Sequence, residues 1–426
     1  MLEIKKIREE LDVMAAALEK RYMSEDPKAM LEAVIEKDDK RKRIQTELDG
    51  LLAKRNSISK EIGELYKSGK REEAEAKKAE VQGMAETIKT LENDQREVIE
   101  AIQLDLHNIP NIPNPLVPAG KGEDDNEVFK AWDGKMPNLP ENAAPHWDLA
   151  ERYNIMDLGL GVKLTGSGFP VYRGKGAALQ RALYTFFLDE AIRAGYEEII
   201  PPLMVNADTA RATGQLPDKE GQMYHITLDD FYLIPTAEVP VTNIYRDVVI
   251  DPDQFPVKLT GFTPCFRREA GSYGADVKGL NRVHQFDKVE IVQIQHPDHS
   301  MESLDEMLEH VEGLLQKLEL QYRILRLCGG DLGFTSSITY DFEVYSAAQK
   351  KWLEVSSVSN FMTFQSNRMN LKFRDEDGKL QLAHTLNGSA LALARIYAAI
   401  LENFQDGDGI NVPFALQKYT GFDRIN

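Results

Sequence analysis

Cysteine is scarce: Cys265 and Cys328 are the only two in 426 residues. That count excludes a disulfide framework and points to a reducing compartment, and no clustered Cys and His stand at zinc spacing, so no zinc site is indicated. No run of about 18 apolar residues occurs, and the N-terminal stretch MLEIKKIREELDVM mixes charge with apolar residues throughout. Neither a membrane span nor a signal peptide is expected, and a cytoplasmic location is. Positive charge is in deficit, with a formal net charge of −18. Nonspecific binding of a polyanion by the whole surface is disfavoured, so any nucleic-acid contact must use a local basic stripe. Glycine and proline are sparse up to Ile109 and then arrive together in NIPNIPNPLVPAGKGEDDNE, which cannot continue a helix. A hydrophobic fraction of 42% is enough for one large core and a satellite element. The expected division is a helical segment over 1–109, a linker over 110–127 and a mixed α+β globule over 128–426.

In the first segment, Ile44, Leu48, Leu51, Arg55, Ile58, Ile62 and Leu65 step by four and three, and Val81, Met84, Ile88, Leu91, Gln95, Val98 and Ile102 do the same. This is a heptad seam with Arg55 and Gln95 as polar exceptions, and Ser68 and Gly69 between the runs can turn the chain. Two antiparallel helices of roughly forty residues then zip into an arm on the order of 60 Å long. An arm of that length has two readings. It holds a dimer, or it reaches a partner; Lys40, Arg41, Lys42, Arg43, Lys54, Lys60, Lys67, Lys70, Arg71, Lys77 and Lys78 favour a phosphate backbone as that partner.

The globule carries the candidate chemistry. Its Gly-rich stretch from Gly159 to Gly176 fits neither a phosphate-binding loop nor a dinucleotide fingerprint. In FYLIPTAEVP, Thr236 and Glu238 leave a strand end together and can hold an ammonium group, or else the acid is simply satisfied within the fold. The passage TPCFRREAGSYGADVKGLNRVHQFDKVE reads as an antiparallel hairpin. Arg267 and Arg268 offer planar donor forks to a phosphate, Glu269 can accept from an adenine amino group, and Phe286 can stack on the base. Glu290 closes the hairpin between apolar neighbours, where an unpaired carboxylate is costly; a polar substrate or a core arginine would satisfy it. Cys265 is read as core. In WLEVSSVSNFMTFQSNR, Glu354 and the nearby hydroxyls suit Mg²⁺, which prefers oxygen ligands and bridges phosphates. AHTLNGSALALARIYAAILEN joins a polar strand end at Ser389 to a helix carrying Arg395.

These passages, in this order, resemble the motifs of class II aminoacyl-tRNA synthetases, and in detail the seryl-tRNA synthetases. The CFR-x-EAGS and HQFxKVE runs match motif 2. The helix ending near Gly195 with the strand EEIIPPLMVN resembles the dimer-forming motif 1, and the Arg395 segment resembles motif 3. The resemblance implies an N-terminal antiparallel coiled-coil arm that grips tRNA and a catalytic domain built on an antiparallel sheet flanked by helices. It implies Arg267 and Arg395 as catalytic, and Thr236, Ala237, Glu238, Glu290 and Ser389 around serine. ATP is implied to meet Arg267, Arg268, Glu269, Val283, Phe286, Glu354, Val355, Ser356, Ser357 and Arg395, with Mg²⁺ on Glu354 and Ser357. Serine, ATP, tRNA(Ser), tRNA(Sec) where that pathway exists, and a second copy in a homodimer are the implied partners. The sequence departs from the usual pattern at Thr363, Ser366 and Asn367, where Asp, Ala and Arg are common, and at Ala390 and Ala394, which replace glycines. Two rival readings are a relative that loads an amino acid onto a carrier protein, which would lack the arm, and a noncatalytic coiled-coil RNA-binding protein, against which Arg267, Glu269, Glu354 and Arg395 speak.

Overall fold

A computed structural model describes residues 1–141, 143–269 and 278–426. The loop of the hairpin passage, residues 270–277, lies outside them. The chain forms two compact units, one made of Met1–Glu19 and Met23–Pro110, the other of Lys20–Tyr22 and Asn111–Asn426.

The first unit is led by two long helices, α1 (Pro27–Lys67) and α2 (Arg71–Asn108). Asp26 caps α1 by accepting from the Lys28 N–H, and Pro27 stands at the first helical position, where its missing N–H goes unneeded. Most of the expected seam is buried: Ile44, Leu48 and Ile58 of α1 and Met84, Ile88, Leu91, Val98 and Ile102 of α2, while Leu51, Ile62, Leu65 and Val81 are half-buried. Its polar exception Gln95 donates to Gln45 on the facing helix. The turn lies at the expected place. Ser68 ends α1, Gly69 takes φ +77°, and the Lys70 N–H returns to the Leu65 carbonyl, so the last turn is closed by a residue that tolerates the left-handed region. Two short helices, Ile4–Glu9 and Leu11–Glu19, bury Ile7, Met14 and Leu18 near the base of the pair. There Asp38, 2% exposed, receives Arg8 at 2.7 Å, Arg41 at 2.7 Å and Lys42 at 3.0 Å. Burial pushes its carboxyl up, but the hydrogen bonds from Arg41, Arg8 and Lys42 outweigh that and hold it at about 2.

The second unit is built on an eight-stranded sheet: β1 (Glu127–Lys130), β2 (Glu197–Glu198), β3 (Val257–Phe266), β4 (Gln285–Gln295), β5 (Tyr322–Arg326), β6 (Ile338–Ser346), β7 (Lys351–Met362) and β8 (His384–Ala392). Their order is β1-β5-β6-β7-β8-β4-β3-β2, antiparallel throughout except for the edge pair of β2 with β3. Helices α3 (Gly174–Arg193), α5 (Ser300–Lys317) and α7 (Leu393–Asn403) share one apolar core with it, through Leu183, Phe187, Leu304, Met307, Ile396 and Ile400 among others. Val289 and Ile291 of β4 enter that core, so strand alternation turns Lys288 and Glu290 to the opposite face. Two short helices, α4 (Glu238–Thr242) and α6 (Phe364–Met369), complete the elements that matter for the site.

Two local expectations need adjusting. The stretch EEIIPPLMVN is not one strand: Pro201 and Pro202 divide it into β2 and a second piece at Met204–Asn206. The proline-rich stretch after Ile109 holds no α-helix, as its composition requires, yet from Asn111 onward it belongs to the second unit. The Asn111 and Asn114 N–H groups donate to the carbonyls of Phe334 (2.9 Å) and Ser337 (2.8 Å), and the Asn111 side chain donates to Thr335 and Phe361. Among the described residues no helix is long and apolar enough to cross a membrane.

Candidate active site

The face of the sheet away from α3, α5 and α7 gathers most of the polar residues singled out from the sequence. β3 and β4 pair in an unbroken antiparallel register, Phe286 opposite Cys265 and Glu290 opposite Gly261. On its other side β4 sets Glu290 opposite Ser389 of β8. Directly opposed residues share a face, so Glu290 and Ser389 line the same surface.

Glu290, 1% exposed, is not left unpaired. Lys288, two residues earlier on the same strand face, reaches its Oε2 at 2.5 Å, and the Thr236 hydroxyl donates to the same oxygen at 3.1 Å. The expected alternative of a core arginine is thus replaced by a lysine, and the signal for it was the Lys-x-Glu alternation in HQFDKVE. Glu238, at the start of α4, has a different environment. Its Oε1 accepts from the neutral Gln365 amide of α6 at 2.6 Å, and its own N–H donates to the Thr236 hydroxyl at 3.3 Å. Burial, then the charge of Glu290, pushes the Glu238 carboxyl up to about 7 despite the Gln365 hydrogen bond. Gln365 is held in turn by the Thr385 hydroxyl at 2.7 Å. Sequence reasoning missed Gln365, for it lies beside the atypical Thr363, Ser366 and Asn367; the Ser366 hydroxyl is occupied with the Ala383 carbonyl. Ala237 is fully buried beside Glu238.

Next along the hairpin the Arg267 guanidinium lies over the Phe286 ring, 5.2 Å from its centroid, with Nε donating to the Pro235 carbonyl at 3.3 Å. A flat cation beside an aromatic ring can take a planar base on one side and a phosphate on the other. Glu269 pairs with Arg282 at 3.2 Å and has φ +46°, in the left-handed region. Arg268 turns elsewhere: it is exposed over Tyr224, 5.7 Å from the ring centroid. The Val283 and Val355 side chains belong to the apolar core, so contact with a ligand from those residues is by backbone. Cys265 is fully buried, and burial pushes its thiol up, which suits a core residue and not a nucleophile.

A second group lies across β7. Glu354 is exposed, and Arg395 on the first turn of α7 reaches its carbonyl at 2.7 Å and its carboxylate at 3.6 Å. Ser356 is buried with its hydroxyl on the Ser389 carbonyl at 2.5 Å, so it braces β8 and does not face solvent. Ser357 stands opposite Asp341 of β6. Asp341 is a further acid that sequence reasoning passed over, though TYDFEVY alternates as a strand. Burial, then the charge of Glu354, pushes its carboxyl well above the usual range, and its Oδ1 has no hydrogen-bond partner among the described residues. Ala390 and Ala394 are buried in the core.

Comparison with known proteins agrees in every part of the chain. Residues 1–113 match the family model described as the seryl-tRNA synthetase N-terminal domain, and residues 224–404 the tRNA synthetase class II core domain (G, H, P, S and T). The chain is 52% identical over 399 residues to the serine–tRNA ligase of Salinibacter ruber, covering 93% of each, and 44% identical to that of Akkermansia muciniphila, covering 100% of this chain and 99% of the other. Among solved structures it resembles the seryl-tRNA synthetase of Pyrococcus horikoshii complexed with ATP, at a TM-score of 0.91 and 35% identity over 100% of this chain and 99% of that one.

Proposed function

The chain belongs to the seryl-tRNA synthetase family, and on that premise we propose how its residues divide the work of charging tRNA with serine. It activates serine with ATP and passes the product to tRNA(Ser). In the first step the serine carboxylate attacks the α-phosphorus of ATP and pyrophosphate leaves. In the second a terminal ribose hydroxyl of the tRNA attacks the seryl carbonyl and AMP leaves; tRNA(Sec) is a further acceptor where the host makes it. No covalent nucleophile is required, so catalysis is positioning together with electrostatic stabilisation.

The observation that carries the residue assignment is the unequal treatment of two neighbouring carboxylates. Glu290 already has Lys288 as a direct counter-charge, whereas among the described residues the Glu238 carboxylate is bonded by the neutral Gln365 and feels Lys288 and Arg267 only as weaker influences than burial and Glu290. An incoming α-ammonium supplies what Glu238 lacks. Glu290, Thr236 and Ser389 then remain to meet the substrate hydroxyl. Alanine would leave Glu290 with an unmet acceptor, which supports discrimination on the order of 10⁴, and threonine is excluded by shape. Arg267 offsets charge at the α-phosphate, Phe286 and Glu269 hold adenine, and Arg395 takes the γ-phosphate. Glu354 and Ser357 present oxygen donors of the kind Mg²⁺ takes alongside phosphate and water, and they would hold it with ATP. Bound there, Mg²⁺ supplies charge neutralisation on the pyrophosphate.

In the same reading the arm over 1–109 grips the tRNA, residues 128–426 form the catalytic domain, and the protein works in the cytoplasm as a homodimer. Ile200, 88% exposed, and Leu203 and Met204 near it form an apolar run beside β2 that a second copy would cover, which supports dimerisation through motif 1. The decisive experiment is amino-acid-dependent exchange of pyrophosphate into ATP across the standard amino acids, followed by charging of total tRNA. Exchange with serine alone and transfer to serine tRNA is the expected result. Exchange without transfer favours a carrier-protein ligase, and no exchange favours a noncatalytic RNA-binding protein.

A further inference from the structure

Behind the second group lies a buried polar network that the reading above does not use. Glu402 follows Arg395 by seven residues on α7, about two helical turns, so both point to the same side. Its carboxylate is fully buried and receives four donors: the His146 ring Nδ1 at 2.6 Å, the His146 backbone N–H at 3.0 Å, the Gln349 amide at 2.9 Å and the Ser346 hydroxyl. Four donors match the capacity of an ionised carboxylate. Burial pushes the Glu402 carboxyl up, but the hydrogen bonds led by His146 outweigh it and hold it below its ordinary value.

The tautomer of His146 follows from its other nitrogen. Nε2 accepts the Leu280 backbone N–H at 2.8 Å, so the proton sits on Nδ1 and points to Glu402. A Cβ on Gly279 would come within 2.2 Å of that Nε2, so the approach of ring to backbone needs a residue without a side chain there. Gln349, oriented by the same carboxylate, accepts from the Asn281 amide at 2.9 Å. Among the described residues Asn281 Oδ1 has no hydrogen-bond partner, so the bond to Gln349 is what holds the side chain. The segment Leu280–Asn281 is therefore held at two points by groups anchored on Glu402. The Asn281 carbonyl in turn accepts from Arg395 Nε at 3.1 Å, while the Glu354 carbonyl accepts from its NH1.

We propose that Glu402, His146 and Gln349 are positioning residues for Arg395: they fix the Asn281 carbonyl that, with the Glu354 carbonyl, sets the plane of the guanidinium and leaves its remaining edge for phosphate. Without that carbonyl the guanidinium is drawn to the Glu354 carboxylate 3.6 Å away, which withdraws both groups from ATP and its metal. The inference rests on the assignment of Arg395 to the γ-phosphate.

The test uses the full chain with Gln349→Ala and Glu402→Gln, each alone and combined with Arg395→Ala, in serine-dependent pyrophosphate exchange. The expected result is an ATP KM raised by about 10-fold or more, as misplacement of a clamp predicts, with serine KM within about twofold. In the Arg395→Ala background neither change adds a further rise. Gln349 lies in a half-buried turn, so it keeps the test available if Glu402→Gln fails to fold. An unchanged ATP KM, an equal rise for serine and ATP, or a full additional loss on top of Arg395→Ala would each overturn the inference. If Arg395→Ala alone leaves ATP KM unchanged, the phosphate assignment fails and takes the inference with it. A crippled Arg395→Ala beside an unaffected Gln349→Ala sinks the inference only.

Discussion

Glu290 and Glu238 differ by their partners, and two expected outcomes follow from that difference. Glu290→Ala removes the acceptor proposed for the substrate hydroxyl and strands Lys288, which is buried at 6% exposure, without a counter-charge. Serine-dependent exchange should lose on the order of 10²-fold or more in kcat/KM, and the stranded charge should cost about 3–5 kcal/mol of stability. Glu290→Gln keeps the shape and one acceptor oxygen for Lys288 and Thr236 but turns the other into a donor, so it should lose less stability than Glu290→Ala while still losing serine; near-normal exchange in either variant would sink the role of Glu290. For Glu238 the variable is pH. Its carboxyl titrates at about 7, raised first by burial and then by Glu290, so below that pH it is protonated and offers the ammonium of serine no charge. The kcat/KM for serine should climb as pH rises toward 7 and level above it, and Glu238→Gln should flatten the climb at a lower value. A wild-type profile that is flat from pH 6 to 8 would refute this. The same shift works against the fold: with an unfolded value of 4.5 and a folded value near 7, the folded state holds the extra proton, so the free protein loses stability as pH rises through that window.

At the scale of elements, the sequence was most legible where one periodic constraint dominates. The seam of α1 and α2 repeats at every three or four residues and nothing else competes for those positions, so burial followed the pattern, including Gln95, whose partner Gln45 lies off the predicted seam. The hairpin of β3 and β4 was legible for the same reason, as alternation sends Val289 and Ile291 inward and Glu290 outward. What escaped through distance along the chain is Gln365 beside Glu238; Asp341 opposite Ser357 and Lys288 beside Glu290 are close in sequence, and the strand alternation of TYDFEVY and HQFDKVE carried the signal for both. No local spacing encodes the meeting of α6 with α4. The Asp38 cluster was invisible too, since its partner Arg8 comes from a separate short helix. Burial raises Asp38, and Arg41, Arg8 and Lys42 lower it further, to about 2 against 3.8 unfolded. The resulting stabilisation is present above pH 4 and is lost as pH falls through 2. Discounted for partners that are partly exposed, it is about 1–2 kcal/mol. Asp38→Asn should therefore speed hydrogen exchange of the α1 amides by roughly 5- to 30-fold at neutral pH, leaving the sheet amides unchanged. Equal protection in the variant would refute the assignment.

For the whole molecule the question is how a chain with a net charge of −18 engages an RNA. The count of lysines on the arm overstates what is available. Lys54 is taken by Glu80 at 3.0 Å, Lys77 by Glu61 at 3.1 Å, and Arg41 and Lys42 by Asp38. The Lys54 and Lys77 pairs, between exposed groups, stabilise the helix pair little, and all four neutralised cations leave little field for a phosphate. Lys40, Arg43 and Lys60 on the helix shafts are exposed and make no ion pair among the described residues, as is also true of Lys67 and Arg71 by the turn, so these three are among the cations a phosphate backbone can neutralise. Reversing all three to Glu should raise the KM for tRNA on the order of 10- to 100-fold, and the salt dependence of binding should weaken by roughly one unit of slope per lost contact. Serine-dependent pyrophosphate exchange should not change, because the groups proposed for activation all belong to the second unit. Exchanging Lys54 and Glu80 conserves both pair and net charge, and it should leave the tRNA KM within about twofold, since a neutralised pair contributes little at the surface. A tRNA KM indifferent to the triple reversal would return the arm to its other reading, a device for holding a dimer. A parallel loss of exchange would instead mean that the two units do not work separately, and that the charges of the arm serve the fold before they serve the RNA.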